Sequence, residues 1–235
     1  MTLLTRSVEP VAVSALRACA LFRDMDEAAM AEVAGLLRHR RFRRHEVIFH
    51  AGDPGDALFI VASGSVKLVL PSPEGNEAII ATLRAGDFFG ELAVLDGEPR
   101  PSTAVALEAT ELEELARAPF LVLIHTRPEV RLALMIALAG KLRRLTKHVE
   151  ELHFLALPGR LAMRLVELAR EAAQSGPSAE LSWHYTQSDL ASMIGGSRQT
   201  VSRLLGDLSA EGLLHVERDV IVIPDVEVLA RMAGR

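Results

Sequence analysis

Apolar and polar positions change rhythm several times along this chain. Near the start, Met30, Val33 and Leu37 share one face of a helix over about Asp26–Leu37. Asp26 and Glu27 open it and the basic run Arg38-His39-Arg40-Arg41 follows its end, as the helix dipole favours. From about Arg41 to Glu114 the pattern shortens. Apolar runs at Glu46–Phe49, Ala57–Val61, Ser65–Leu70 and Ala78–Leu83 are divided by turn clusters at Ala51–Asp56, Ser63-Gly64, Pro71–Asn76 and Ala85–Asp87. Strands at such even spacing predict an antiparallel barrel or jelly roll.

A long helix is predicted from about Pro128 to Leu155. Leu134, Leu138, Leu142, Leu145, Val149 and Leu152 recur at steps of three and four, close to the period of a two-stranded coiled coil. Two readings fit: a dimer seam flanked by Arg143, Arg144, Lys147, Glu150 and Glu151, or a helix packed on its own domain. Leu157-Pro158-Gly159-Arg160 then breaks the pattern, and a proline beside a glycine suits a hinge. A further amphipathic helix spans about Arg160–Ala173, before a polar loop at Gln174–Ser178.

The segment Tyr185–Leu205 is the most informative. Thr186 can cap a helix whose first turn carries Asp189, with Leu190, Ala191 and Ile194 facing inward. Gly195-Gly196 makes a tight turn and Ser197 caps a second helix, buried through Val201, Leu204, Leu205 and Leu208. Its other side carries Ser197, Arg198, Gln199, Thr200, Ser202 and Arg203. Arginine can bond guanine bidentately and glutamine can bond adenine, so this is the chemistry of a recognition helix in the major groove. Gly212–Ile223 reads as a β-hairpin, placed where a wing would be.

Composition narrows these readings. With 235 residues the chain has room for two domains, and with one cysteine, Cys19, it can form no internal disulfide framework and no four-cysteine metal or iron–sulfur site. The formal charge of −5 argues mildly against nucleic-acid binding, but binding depends on where the cations sit. The N-terminus does not read as a secretory signal, and no run is apolar enough to span a membrane. The expected location is cytoplasmic. No nucleophile elbow, Walker loop or paired-histidine metal motif appears, so an enzyme has no support. His39, His45, His50, His125, His148 and His153 show no ligand pattern, which leaves haem unsupported.

Five phrases together resemble the catabolite-activator/fumarate-nitrate-regulator (CRP/FNR) family of bacterial regulators. They are Gly52-Asp53-Pro54-Gly55-Asp56, Gly64-Ser65-Val66, Phe89–Arg100, Phe154–Arg160 and Ser197–Arg203, in the family's order over about Leu21–Ile223. The resemblance implies an α+β chain. Residues 1–127 would form a double-stranded β-helix (jelly-roll) domain of cyclic-nucleotide-binding type, 128–157 a dimerisation helix and 158–235 a winged helix-turn-helix. It further implies a homodimer on an inverted-repeat operator of double-stranded DNA, in contact with RNA polymerase and with no membrane. Arg198, Gln199 and Arg203 would be base readers. Gln199 stands where many relatives carry Glu, so the half-site would differ from the common TGTGA.

In the cyclic-nucleotide binders of this family, a cassette like Phe89–Thr103 holds the ligand. The resemblance gives the ribose to Glu91, the cyclic phosphate to Arg100, and supporting amides to Gly90, Glu91, Leu92 and Ala93. The candidate effector is cAMP, and no other cofactor is implied. Two departures count against it. Pro101 replaces the usual Ser or Thr after the arginine, leaving Ser102 or Thr103 to substitute, and the adenine-recognising pair becomes Leu145-Thr146, of which only Thr146 can hydrogen-bond. Alternatives therefore stay open: Glu91 and Arg100 pair with each other and staple the barrel of an effector-independent regulator, or the chain is a ligand-binding module without DNA readout.

Overall fold

The computed structural model describes residues 8–71, 77–172, 178–182, 185–217 and 220–233. Two compact units, residues 1–142 and 143–235, divide the chain within its longest helix. In the first unit α1 (Val8–Ala18) and α2 (Glu27–Ala34) precede β1 (Leu37–Phe42), β2 (Val47–Phe49), β3 (Ala57–Ser63), β4 (Ser65–Pro71), β5 (Glu77–Arg84), β6 (Phe88–Phe89), α3 (Glu91–Asp96), β7 (Thr103–Ala106), β8 (Thr110–Ala116) and α4 (Arg117–Thr126). The strands form two antiparallel four-stranded sheets, ordered β1-β8-β3-β6 and β2-β7-β4-β5. Phe42, Phe59, Val61, Val66, Leu83, Ala104, Ala106 and Leu112 fill the space between them. The other face of the first sheet, through Leu58, Ile60 and Leu115, packs on helical residues such as Leu16, Met30, Phe120, Val130 and Leu134, and on Phe22 of the α1–α2 turn. This is the expected jelly roll, its first sheet alternating between two apolar partners.

The helix predicted to end at Leu37 stops sooner. Asp26 caps α2 by accepting from the Ala29 amide at 2.8 Å, the helix ends at Ala34, and Leu37 already opens β1. The basic run is therefore a strand. It lies beside β8, whose sequence Thr-Glu-Leu-Glu-Glu-Leu-Ala looks unlike a strand. The pairing explains both: His39 Nδ1 lies 2.8 Å from Glu113 Oε1, Arg40 pairs with Glu114 at 2.8 Å and Arg41 with Glu111 at 3.0 Å. Gly64 joins β3 to β4 at φ +81°, and a Cβ there would stand 2.6 Å from the Ala109 carbonyl oxygen. The 72–76 part of the predicted β4–β5 turn cluster lies outside the described residues.

Helix α5 (Pro128–Phe154) crosses from one unit to the other, and Pro128 opens it where a missing N–H costs nothing. The second unit adds α6 (Leu157–Ala172), β9 (Ala179–Ser182), α7 (Gln187–Ile194), α8 (Arg198–Ala210), β10 (His215–Glu217), β11 (Val220–Ile223) and α9 (Val226–Ala233). Leu161, Leu165, Val166 and Ala169 of α6 are fully buried at its centre. The predicted hairpin forms as β10 and β11, and β9 adds a third antiparallel strand that the polar character of its flanks concealed. Residues 218–219 and Gln174–Pro177 lie outside the described residues.

The expected hinge also moves. Pro158 and Gly159 belong to the first turn of α6, so the interruption between α5 and α6 is only Leu155-Ala156. Gly159 is a packing residue, because a Cβ there would stand 2.6 Å from the Ala233 carbonyl oxygen of α9. Gly159→Ala should therefore destabilise the second unit by about 1–3 kcal/mol, the cost of overpacking, although alanine ordinarily favours a helix by up to about 1 kcal/mol. Chemical denaturation decides the sign, and a stabilised variant would mean α6 and α9 are not in that contact.

Candidate functional site

The cassette is built where β6 turns into the short helix α3. Gly90 takes φ +83°, and the Nη1 of Arg100 would stand 2.5 Å from any Cβ placed there, so this turn accepts only glycine. Glu91 and Arg100 follow, both almost fully buried. They do not pair with each other, which corrects the reading in which they staple the barrel together. Arg100 donates from Nη1 to the Gly90 carbonyl at 2.7 Å and from Nη2 to the Ala57 carbonyl at 2.6 Å. Its guanidinium lies over the Phe49 ring, 4.4 Å from the centroid, beside a cluster of Phe49, Phe59 and Phe89. Its Nε is buried with no acceptor. Burial draws the Arg100 guanidinium below its ordinary range, while the charges of Asp56, Asp53 and Glu91 oppose that shift.

Glu91 has a different partner. Lys141 of α5 donates to Glu91 Oε1 at 2.8 Å and to the Phe88 carbonyl at 3.1 Å, and its ammonium lies 4.3 Å from the Phe88 ring centroid. Nothing local in the sequence connects Lys141, a charge within an apolar stretch of α5, to a carboxylate 50 residues earlier. Among the other expected contacts, Ala93 is buried and Leu92 is exposed. The Thr103 hydroxyl accepts from the Ala51 amide at 3.0 Å. Ser102 is buried, 4% exposed, two residues along from Arg100. Leu145 and Thr146 lie on α5 in the second unit, both exposed.

The second unit presents the other site. Thr186 and Asp189 form a capping box, the Thr186 hydroxyl accepting from the Asp189 amide at 3.1 Å and the Asp189 carboxylate accepting from the Thr186 amide at 2.8 Å. Gly195, at φ +69°, ends α7, and the Ser197 hydroxyl accepts from the Thr200 amide at 3.1 Å to start α8. Val201, Leu204, Leu205 and Leu208 bury one side of α8. The other exposes Ser197, Arg198, Gln199, Ser202 and Arg203, with Thr200 half-buried and bonded to Ser197. Arg203 makes a loose exposed contact to Asp207 at 3.5 Å. These side chains are thus brought together on one solvent face at the start of a capped helix.

A family model described as a cyclic nucleotide-binding domain matches residues 39–127, and one described as a Crp-like helix-turn-helix domain matches residues 159–232. A CRP-like cAMP-activated global transcriptional regulator of Mycobacterium tuberculosis is 34% identical, covering 91% of this chain and 96% of that protein. The chain belongs to the CRP/FNR family. A CRP/FNR-family transcriptional regulator of Thermus thermophilus has a similar solved structure, with 29% identity, a TM-score of 0.70, and coverage of 84% of this chain and 99% of that one. The regulator CLP of Xanthomonas campestris, described as responsive to c-di-GMP, is 25% identical with a TM-score of 0.74, over 84% of this chain and 99% of that one. CRP/FNR proteins are DNA-binding transcription regulators and not enzymes, and so is this chain. No helix among the described residues is long and apolar enough to cross a membrane.

Regulators of the CRP type act as dimers, and α5 carries a surface suited to that. The predicted seam is corrected at its N-terminal end: Leu134 is 4% exposed and packs with Leu138 on the core of its own unit. The exposed row runs instead through Met135, Leu142, Leu145, Val149 and Leu152, between 41% and 65% exposed. Met135, Leu142 and Val149 are seven apart, and Leu145 and Leu152 likewise, which is the a/d register of a coiled coil. The own-domain reading holds for Leu134, and the exposed row further along has the period that a seam would need. Leu145→Glu should shift the protein to monomer in sedimentation velocity at micromolar concentration, with the far-UV spectrum retained; an unchanged dimer would place the interface elsewhere.

Proposed function

We propose that the β-roll binds a cyclic nucleotide, cAMP first, and that binding tunes the grip of a homodimer on an inverted-repeat operator. The observation that carries this is Arg100. A buried guanidinium with no carboxylate against it, and with Nε facing no acceptor, is costly unless an anion completes it. A cyclic phosphate supplies one negative charge and acceptor oxygens of the required kind. Ser102 would add a hydroxyl, and Glu91, already oriented by Lys141, would accept from the ribose 2′-hydroxyl. Thr146 remains the candidate for the adenine edge, where Leu145 can offer only apolar contact. The Mycobacterium tuberculosis relative is named as cAMP-activated and the Xanthomonas campestris one as c-di-GMP-responsive, so these two nucleotides are the ones to compare.

The output follows from the second unit. Arg198, Gln199 and Arg203 read base edges from the start of α8, Ser197, Thr200 and Ser202 help hold the backbone, and the β10–β11 wing lies alongside. Contact with RNA polymerase is expected from the family. A ligand shifts the DNA-competent form only if it binds that form more tightly, and the geometry required is two recognition helices about one DNA turn, roughly 34 Å, apart.

Calorimetric titration of the dimer with cAMP should give saturable binding near one per subunit, which Arg100→Leu abolishes. No heat with cAMP and saturation with c-di-GMP would move the effector class. No heat with either would leave the cassette structural and the regulator effector-independent. On the DNA side, Arg198→Ala and Arg203→Ala should each cost about 1–3 kcal/mol against a selected operator. Undiminished affinity in both variants would remove α8 as the reader.

A further inference from the structure

Helix α6 turns back on the end of α5 after only Leu155-Ala156, and a line of ionic contacts spans that turn. Lys147 of α5 donates to Glu167 Oε1 of α6 at 2.7 Å and lies 3.4 Å from Glu151 Oε1 one turn along its own helix. Glu167 also takes Arg164 Nη1 at 3.1 Å through its other oxygen. Arg164 then reaches α7, its Nε donating to the Met193 sulfur at 3.3 Å. A continuous path therefore runs from the dimerisation helix through α6 to the helix that ends in the turn before the reader α8. The charges respond accordingly. Hydrogen bonding to Glu167 raises the Lys147 ammonium above its ordinary range. Burial would raise the Glu167 carboxyl, but Lys147 and Arg164 outweigh it and hold it low.

We propose that Lys147 and Glu167 are positioning residues for DNA binding: their ion pair fixes the angle between the dimer seam and the helix-turn-helix, and so the spacing of the two recognition helices. This rests on the two-headed grip of an inverted repeat proposed above. Lys147 is half-exposed, so the pair adds little to stability. Its contribution is orientational. At the two-residue joint Leu155-Ala156, Arg160 Nε donates to the Leu155 carbonyl at 3.2 Å, and the short bond between the helices, eight residues before and twelve after Leu155, adds a second fixed distance further from the joint.

The experiment separates grip from contact. The wild-type dimer selects an inverted-repeat duplex from a randomised pool, and affinities are measured for that duplex and for the same duplex with one half scrambled. Lys147→Met, Glu167→Gln and the double variant should each lose about tenfold or more on the full repeat. They should stay within about twofold of wild type on the half-site, where spacing is irrelevant. The double variant should be no worse than either single one, and Lys147→Arg should retain wild-type affinity. Equal losses on both duplexes would mean a lost DNA contact and overturn the proposal. So would no loss, a gain, or additive losses in the double variant. If the wild type selects no inverted repeat, the two-headed reading fails first and this one falls with it.

Discussion

A helix of 27 residues with one apolar face cannot satisfy two apolar partners along the same length, and α5 has two to satisfy. The conflict is resolved by position. Val130, Leu134 and Leu138 turn to the barrel's helical layer, while Leu142, Leu145, Val149 and Leu152 are exposed. The change falls at residues 141–143, where Lys141 engages the cassette and the boundary between the compact units lies. The contact with the barrel's helical layer, the exposed apolar row and the joint to α6 thus share one helix.

The barrel's chemistry follows from placing two charges where water does not reach. Arg100 is kept among Phe49, Phe59 and Phe89 by two carbonyls and a ring face, with no carboxylate bonded to it. Glu91 is held off by Lys141 instead. Had Glu91 and Arg100 paired, the cassette would be a closed structural bridge. Kept apart, they leave the Arg100 guanidinium and the Glu91 carboxylate with separate partners in the cassette. Gly90 makes the arrangement possible, since any larger residue would occupy the guanidinium's position.

The overall acidity of the chain is reconciled with DNA binding by local distribution. Much of the acidic excess is engaged within the protein: Glu111, Glu113 and Glu114 brace the basic strand β1, and Glu167 bridges α5 and α6. The exposed face of α8 carries Arg198 and Arg203 near the helix start and no carboxylate until Asp207. Capping at Thr186 and Ser197 fixes both helices that flank the glycine turn, so this face is preset by backbone geometry.

What the sequence determined by itself is everything carried by local period and local hydrogen bonding. The barrel strands at Ala57–Val61, Ser65–Leu70 and Ala78–Leu83, the long helix, and the capped helix-turn-helix with its buried and exposed faces were all legible, because alternation, heptad spacing, caps and turn glycines act within a few residues. What only the tertiary structure decided depends on residues far apart in the chain. Strand β8 is a strand because β1 supplies cations opposite its glutamates. Gly159 packs α6 on α9 although beside Pro158 it resembled a hinge. Leu134 leaves the seam because a core reaches it, and Lys141 and Glu167 acquire roles through partners 50 and 20 residues away. A sequence window can state which face of an element is apolar or charged, but the partner that claims that face is chosen by how the whole chain closes.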